Sequence, residues 1–214
     1  MSEMDISSLM AKTLARVAQA PQAAPPVAVV GDPALARLVA QGVPVRSSRL
    51  ALGDLEETPA LIATRRWMAS GEHCLLALAG AKGIGKTVAA AWAMAQPRRS
   101  NPAATAPGLF ITAAALARID RYEAGAVDAV LKASMLVVDD IGVEFNDAKG
   151  AFASLFDEAL GARYGNELPT VITTNLGEAK FIERFGARIV DRFDEAGVWF
   201  ERGGESLRGK ANAP

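Results

Sequence analysis

The chain has 214 residues, half of them hydrophobic, with 23 lysines and arginines against 24 acids and a formal net charge of -1. That length buries one medium core and leaves a modest extension, while the balanced charge excludes a surface built throughout for nucleic acid, so any polynucleotide site is local. The single cysteine, Cys74, permits neither a disulfide framework nor a zinc cluster and reads as a small core residue.

Residues 1–20 carry Ile6, Leu9, Met10, Leu14 and Val17 at helical spacing, with Lys12 and Arg16 between them. This amphipathic stripe either meets a partner surface or folds back on its own domain. The run Ala18-Gln19-Ala20-Pro21-Gln22-Ala23-Ala24-Pro25-Pro26 then reads as an extended linker. A second helical patch covers Pro33 to Gln41. The chain therefore divides into an N-terminal segment at 1–41, a main domain at 42–210 and a tail at 211–214. The N-terminus shows no basic segment followed by an apolar signal core, and no stretch approaches the roughly 18 apolar residues of a membrane-spanning helix, so a cytoplasmic protein is expected.

Helix is expected over Thr58–Ser70, followed by a buried strand at Cys74–Ala79. Gly80-Ala81-Lys82-Gly83-Ile84-Gly85-Lys86-Thr87 comes directly after that strand and opens a helical run to Ala95. This is the setting of a phosphate-binding loop: glycines allow backbone N–H groups to surround a phosphate at a helix N-terminus. Lys86 would reach the β- and γ-phosphates of ATP, and Thr87 would ligate Mg²⁺. Lys82 either touches phosphate or stays solvated.

Pro97–Pro107 reads as a surface loop, Leu109–Thr112 as a short strand, and Ala113–Tyr122 and Ala126–Ala133 as helices. Met135-Leu136-Val137-Val138 is a buried strand that delivers Asp139 and Asp140 at its C-terminal end, where open α/β sheets bind ligands. Asp139 would hold Mg²⁺, and Asp140 would act as general base toward the attacking water. A helix over Ala151–Arg163 leads to the strand Thr170–Thr174 and then to Asn175, which either senses the γ-phosphate or caps a turn. Strands alternating with helices predict an α/β fold with a parallel sheet wrapped on both faces. His73, Trp67, Trp92 and Trp199 carry no expected chemistry.

The ordered set formed by the phosphate loop, Val138-Asp139-Asp140-Ile141-Gly142, the run from Arg163 to Leu176, and Phe185-Gly186-Ala187-Arg188-Ile189-Val190-Asp191-Arg192-Phe193 resembles the AAA+ ATPases of the DnaC-like helicase loaders, with the IstB transposition helpers as close kin. The resemblance spans roughly residues 42–210. It implies a P-loop AAA+ core, Asp139 and Asp140 as the paired Walker B acids, and Asn175, with Thr174 beside it, as a γ-phosphate sensor. It also implies that Arg192 is an arginine finger acting on ATP held by a neighbouring subunit. Arg188 and Arg208 either contact nucleotide or form surface ion pairs. The activity so implied is ATP-dependent self-assembly that places a replicative helicase on single-stranded DNA, with Arg65, Arg66, Arg118, Arg121 and Tyr122 as the residues nearest to DNA or else a solvated face. An IstB-like helper acting on a transposase has the same core. A small-molecule kinase shares the loop but would need a lid and acceptor site that do not show in the sequence.

Overall fold

The computed structural model describes residues 32–97, 100–120, 124–142 and 151–202. Five parallel strands form one sheet in the order β2-β3-β4-β1-β5: β1 Leu75–Gly80, β2 Leu109–Thr112, β3 Leu136–Ile141, β4 Thr170–Thr174 and β5 Gly197–Arg202. The strands are apolar on both faces because helices cover both. Leu76, Leu78, Val137 and Val171 join one core with Leu38, Val43, Leu61, Trp67 and Met94, whereas Leu75, Ala77, Val138 and Ile172 join another with Leu116, Val130, Phe156, Phe181 and Phe193.

The first core is roofed by α1 Pro33–Ala40, α2 Val45–Leu52, α3 Pro59–Ser70 and α4 Lys86–Ala95. Asp32 starts α1 by accepting from the N–H groups of Ala34 and Leu35, with Pro33 pre-set for the first turn. Leu38 is fully buried in the cluster that holds Val43 and Phe110, and Phe110 N–H donates to Gln41 O at 2.7 Å. Helix α1, which the sequence reading placed in the N-terminal segment at 1–41, thus packs into this core. Gly42 permits the approach: at its φ of +90° a Cβ would lie 2.3 Å from Phe110 O. Helix α2 was not foreseen, because of its eight residues only Ser48 and Ala51 are buried. Thr58 caps α3 through the Leu61 N–H, and Gly71 closes it in the left-handed conformation.

The second core lies under α5 Ala113–Leu116, α6 Ala124–Lys132, α7 Ala151–Gly165, α8 Glu178–Phe185 and α9 Ala187–Ala196. Helix was expected to run from Ala113 to Tyr122, but α5 stops at Leu116 and turns at Ala117 and Arg118. Strand β5 was also unforeseen. It lies at the sheet edge, where Val198, Trp199 and Phe200 are half-buried, and Trp199 packs edge-on to Phe181 and Phe193. The amphipathic stripe and linker of residues 1–31 lie outside the described residues, as do residue 208 and the tail.

Arg163 ties this core together although nothing in the sequence marked it. Its side chain is fully buried, and Nη1 donates to the carbonyls of Val130, Leu131 and Ala133 at the end of α6, Nη2 to Pro169 O, and Nε to Thr170 Oγ1. The carbonyls at a helix C-terminus carry partial negative charge, so the cation is stabilised there without a carboxylate. Burial pulls the guanidinium down to about 9, which keeps it charged at neutral pH.

Candidate nucleotide site

The loop between β1 and α4 needs glycine for two separate reasons. Gly80 has a φ of +128°, and a Cβ there would stand 2.0 Å from Arg202 O on β5. Gly83 and Gly85 both have a φ of +89°, and a Cβ on Gly85 would press within 3.1 Å of Thr58 Oγ1. The chain can therefore turn tightly from strand to helix and leave the N-terminus of α4 open at the C-terminal edge of the sheet.

Lys86, the first residue of α4, folds back into this loop. Its ammonium donates to Gly80 O at 2.7 Å, to Ala81 O at 2.8 Å and to Asn175 Oδ1 at 3.0 Å. The cation is thus aligned by carbonyls and by the residue that follows β4, in a side chain only 6% exposed. Thr87, one residue on, donates to Asp139, with Oδ1 at 3.1 Å and Oδ2 at 3.3 Å. A hydroxyl and a carboxylate brought together in this way are the hard oxygen donors that Mg²⁺ takes, so the residues present fit the ion.

Thr173, which sequence reasoning passed over, joins the two acids. Its hydroxyl donates to Asp139 Oδ1 at 2.6 Å and accepts from the Asp140 N–H at 2.9 Å. The signal available was its place next to Thr174 at a strand end, where only one of the pair can face the ligand edge. Thr174 was paired with Asn175 as a sensor, but its hydroxyl donates to Ile141 O and accepts from Leu176 N–H, so its oxygen is occupied by backbone. Burial, reinforced by the charge of Asp140, raises the Asp139 carboxyl above the usual range, while bonds from Thr173 and Thr87 and the Lys86 charge act in the opposite direction.

Asp140 is exposed and takes a φ of +62°, rare outside glycine, where the β3–β4 register shifts between Val138 and Ile141. At that bulge Asp139 is buried and Asp140 is exposed. Backbone strain of this kind, roughly 1–3 kcal/mol, persists where surrounding structure imposes it, here through the Thr173 bond.

The other sequence-selected residues divide. Ala81 and Lys82 are exposed on the loop, and Ile84 is buried beneath it. Arg188 and Arg192 share a face of α9 as expected, but both turn to Asp157 of α7: Arg192 Nη1 lies 2.7 Å from Oδ1 and Arg188 Nη1 lies 3.8 Å from Oδ2. Arg65 pairs with Glu57 and lies over the Trp92 ring, while Arg66 and Arg118 are exposed. Arg208, Arg121 and Tyr122 lie outside the described residues. Arg184, not foreseen, donates to Gly142 O just beyond β3.

No family model and no curated protein matches the sequence. Solved structures do match its fold. The DnaC helicase loader is 20% identical over 73% of this chain and 98% of that one, with a TM-score of 0.53. DnaI is 24% identical over 74% and 93%, with a TM-score of 0.55. AMPPCP-bound DnaA from Aquifex aeolicus is 17% identical over 70% of this chain and 48% of its own, with a TM-score of 0.52. The mixed α/β fold is therefore the AAA+ P-loop fold expected from the motifs. None of the described helices is long and apolar enough to cross a membrane.

Proposed function

We propose that this chain, which shares the AAA+ P-loop fold of DnaC, DnaI and DnaA, is a cytoplasmic ATPase of the helicase-loader type that uses ATP to time an assembly on a replicative helicase and single-stranded DNA. The observation that carries this reading is the convergence of Lys86, Thr87, Asp139, Thr173 and Asn175 at the C-terminal edge of β1, β3 and β4. The chemistry of this cluster is addressed to phosphate and a hard cation.

In this reading the loop amides from Gly80 to Thr87 cradle the phosphates, and Lys86 exchanges its carbonyl partners for phosphate oxygens. Thr87 and Asp139 would hold Mg²⁺, which would supply charge neutralisation to the phosphates. Thr173 keeps the Asp139 carboxylate turned toward Thr87 and fixes the Asp140 backbone. Asp140, exposed at the edge, accepts the proton of the attacking water, and Asn175 orients that water or the γ-phosphate. An arginine of α9 completes the site of a neighbouring copy, so hydrolysis would dissolve the contact that binding created. Replication proteins among the structural neighbours favour a helicase over a transposase as the partner.

Two measurements test this. Lys86→Ala should abolish binding of a fluorescent ATP analogue, and retention of binding within a factor of about two would remove the loop from the proposal. A pull-down of the replicative helicase by the full chain and by a truncation lacking residues 1–30 should succeed only with the full chain. Failure of both, under conditions where ATP binds, would sink the helicase as partner.

A further inference from the structure

Resting on the reading just given, in which Asn175 orients the attacking water or the γ-phosphate, we propose that Glu201 of β5 is a positioning residue for that step. It anchors the short strap that carries Asn175 across the phosphate loop. Residues 175–177 link β4 to α8, and the strand register shows what they cross. Thr174 on β4 and Glu201 on β5 both pair with Ala79, the residue of β1 just before Gly80. The strap leaves β4 and heads toward β5, two strand spacings or about 10 Å away, across the strand end that launches the loop. Asn175 lies on this path, and its Oδ1 accepts from Lys86 Nζ at 3.0 Å.

Both ends of the strap are tied, by different means. Upstream, Thr174 Oγ1 donates to Ile141 O at 2.8 Å and accepts from the Leu176 N–H at 3.0 Å, which fixes the first turn to β3. Downstream, α8 opens at Gly177, which has no side chain with which to cap it. Glu201 takes that part from another element: its Oε2 accepts from the Glu178 N–H at 3.0 Å and from Trp199 Nε1 at 3.4 Å. A carboxylate is stabilised at a helix N-terminus, so charge and position agree.

The packing brings the two elements together. Trp199 and Glu201, two residues apart on β5, share one face of the strand, and Trp199 packs edge-on to Phe181 of α8. Gly177 lets the carboxylate come close, since a Cβ there would meet Glu201 Oε1 at 2.7 Å. The next residue of β5, Arg202, sets its carbonyl against Gly80, so consecutive residues of one strand brace the phosphate loop and the strap over it. Without the Glu201 bond the strap keeps only its upstream tie, and Asn175 spends less time in register with Lys86. The bond is exposed, so its loss has a modest effect.

The experiment uses the full chain and measures ATP binding, the hydrolysis rate at saturating ATP, and deuterium uptake at residues 176–178. Glu201→Ala should bind ATP within about a factor of two of native, hydrolyse about fivefold more slowly and exchange faster at the Glu178 N–H. Glu201→Gln, which keeps an acceptor, should regain most of the rate. Gly177 has a φ of -71°, open to any residue, so Gly177→Ala displaces the carboxylate without backbone strain and should reproduce Glu201→Ala. Asn175→Ala should lose more, and adding Glu201→Ala to it should change nothing further. Losses that multiply, a native rate in Glu201→Ala, or a change confined to ATP affinity each overturn the proposal. Should the native chain fail to hydrolyse ATP, or Asn175→Ala hydrolyse at the native rate, the reading of the site fails instead. The anchor is then judged by exchange alone, where unchanged uptake in Glu201→Ala overturns it and raised uptake upholds it.

Discussion

In the proposed site Asp139 would meet two demands that conflict until a ligand is bound. The site needs a carboxylate next to Thr87, but burial and the Asp140 charge raise its proton affinity above the ordinary value of 3.8. A folded-state value above the unfolded one means that the native chain binds the proton more tightly in that interval. Ionised Asp139 therefore costs stability at neutral pH, and the cost is relieved as the pH falls through the raised value. Asp139→Asn keeps an acceptor for Thr87 and Thr173 and removes the charge. Without nucleotide this variant should melt above the native chain near about pH 8, with the gap closing toward about pH 4, as followed by circular dichroism. A gap that widens in acid would contradict the sign. Sequence alone placed Lys86, Thr87, Asp139, Asp140 and Asn175 in one site, because strand-to-loop motifs state both residue type and position. It could not decide between Thr173 and Thr174, since which hydroxyl faces the ligand depends on the pleat and on the bulge at Asp140.

At the scale of elements, the loop from β1 to α4 depends on β5, a strand more than a hundred residues away in sequence. The Gly80 backbone passes so close to Arg202 that no Cβ fits, whereas Gly186, between α8 and α9, has a φ of +87° and nothing within 4 Å of a built Cβ. The two glycines separate crowding from strain. Gly80→Ala should cost about 3 kcal/mol or more and lower the melting temperature by about 10 °C, while Gly186→Ala should cost about 1 kcal/mol. Equal losses would show that left-handed strain accounts for both. Helix α3, capped by Thr58 and Gly71, and helix α4, opened by the glycine loop, were legible. The short α2 and the edge strand β5 were not, since α2 buries two of its eight residues and β5 is half-buried without alternation. The Ala-rich stretch after β2 read as a long helix by propensity, but its packing supports only the single turn of α5.

For the whole molecule, ligand binding and stability are linked. ATP with Mg²⁺ at about a hundred times its dissociation constant should stabilise the native chain by about 2.7 kcal/mol, or about 5–10 °C in melting temperature. Lys86→Ala should lose that shift, whatever the loss of its bonds to Gly80, Ala81 and Asn175 does to the melting temperature without nucleotide. An undiminished shift would place the nucleotide elsewhere. The sequence by itself determined a parallel α/β sheet with a glycine loop after β1 and Asp139 at the end of β3, because apolar runs dictate burial and glycine spacing dictates where a backbone can turn tightly. Tertiary structure alone decided that α1 packs into the first core, that Arg163 is buried under a helix C-terminus, and that Asp157 holds Arg192 while Arg188 stays exposed. These are contacts between segments distant in sequence, and they are fixed by how α7 and α9 pack on the sheet. No local pattern of residue types encodes that packing.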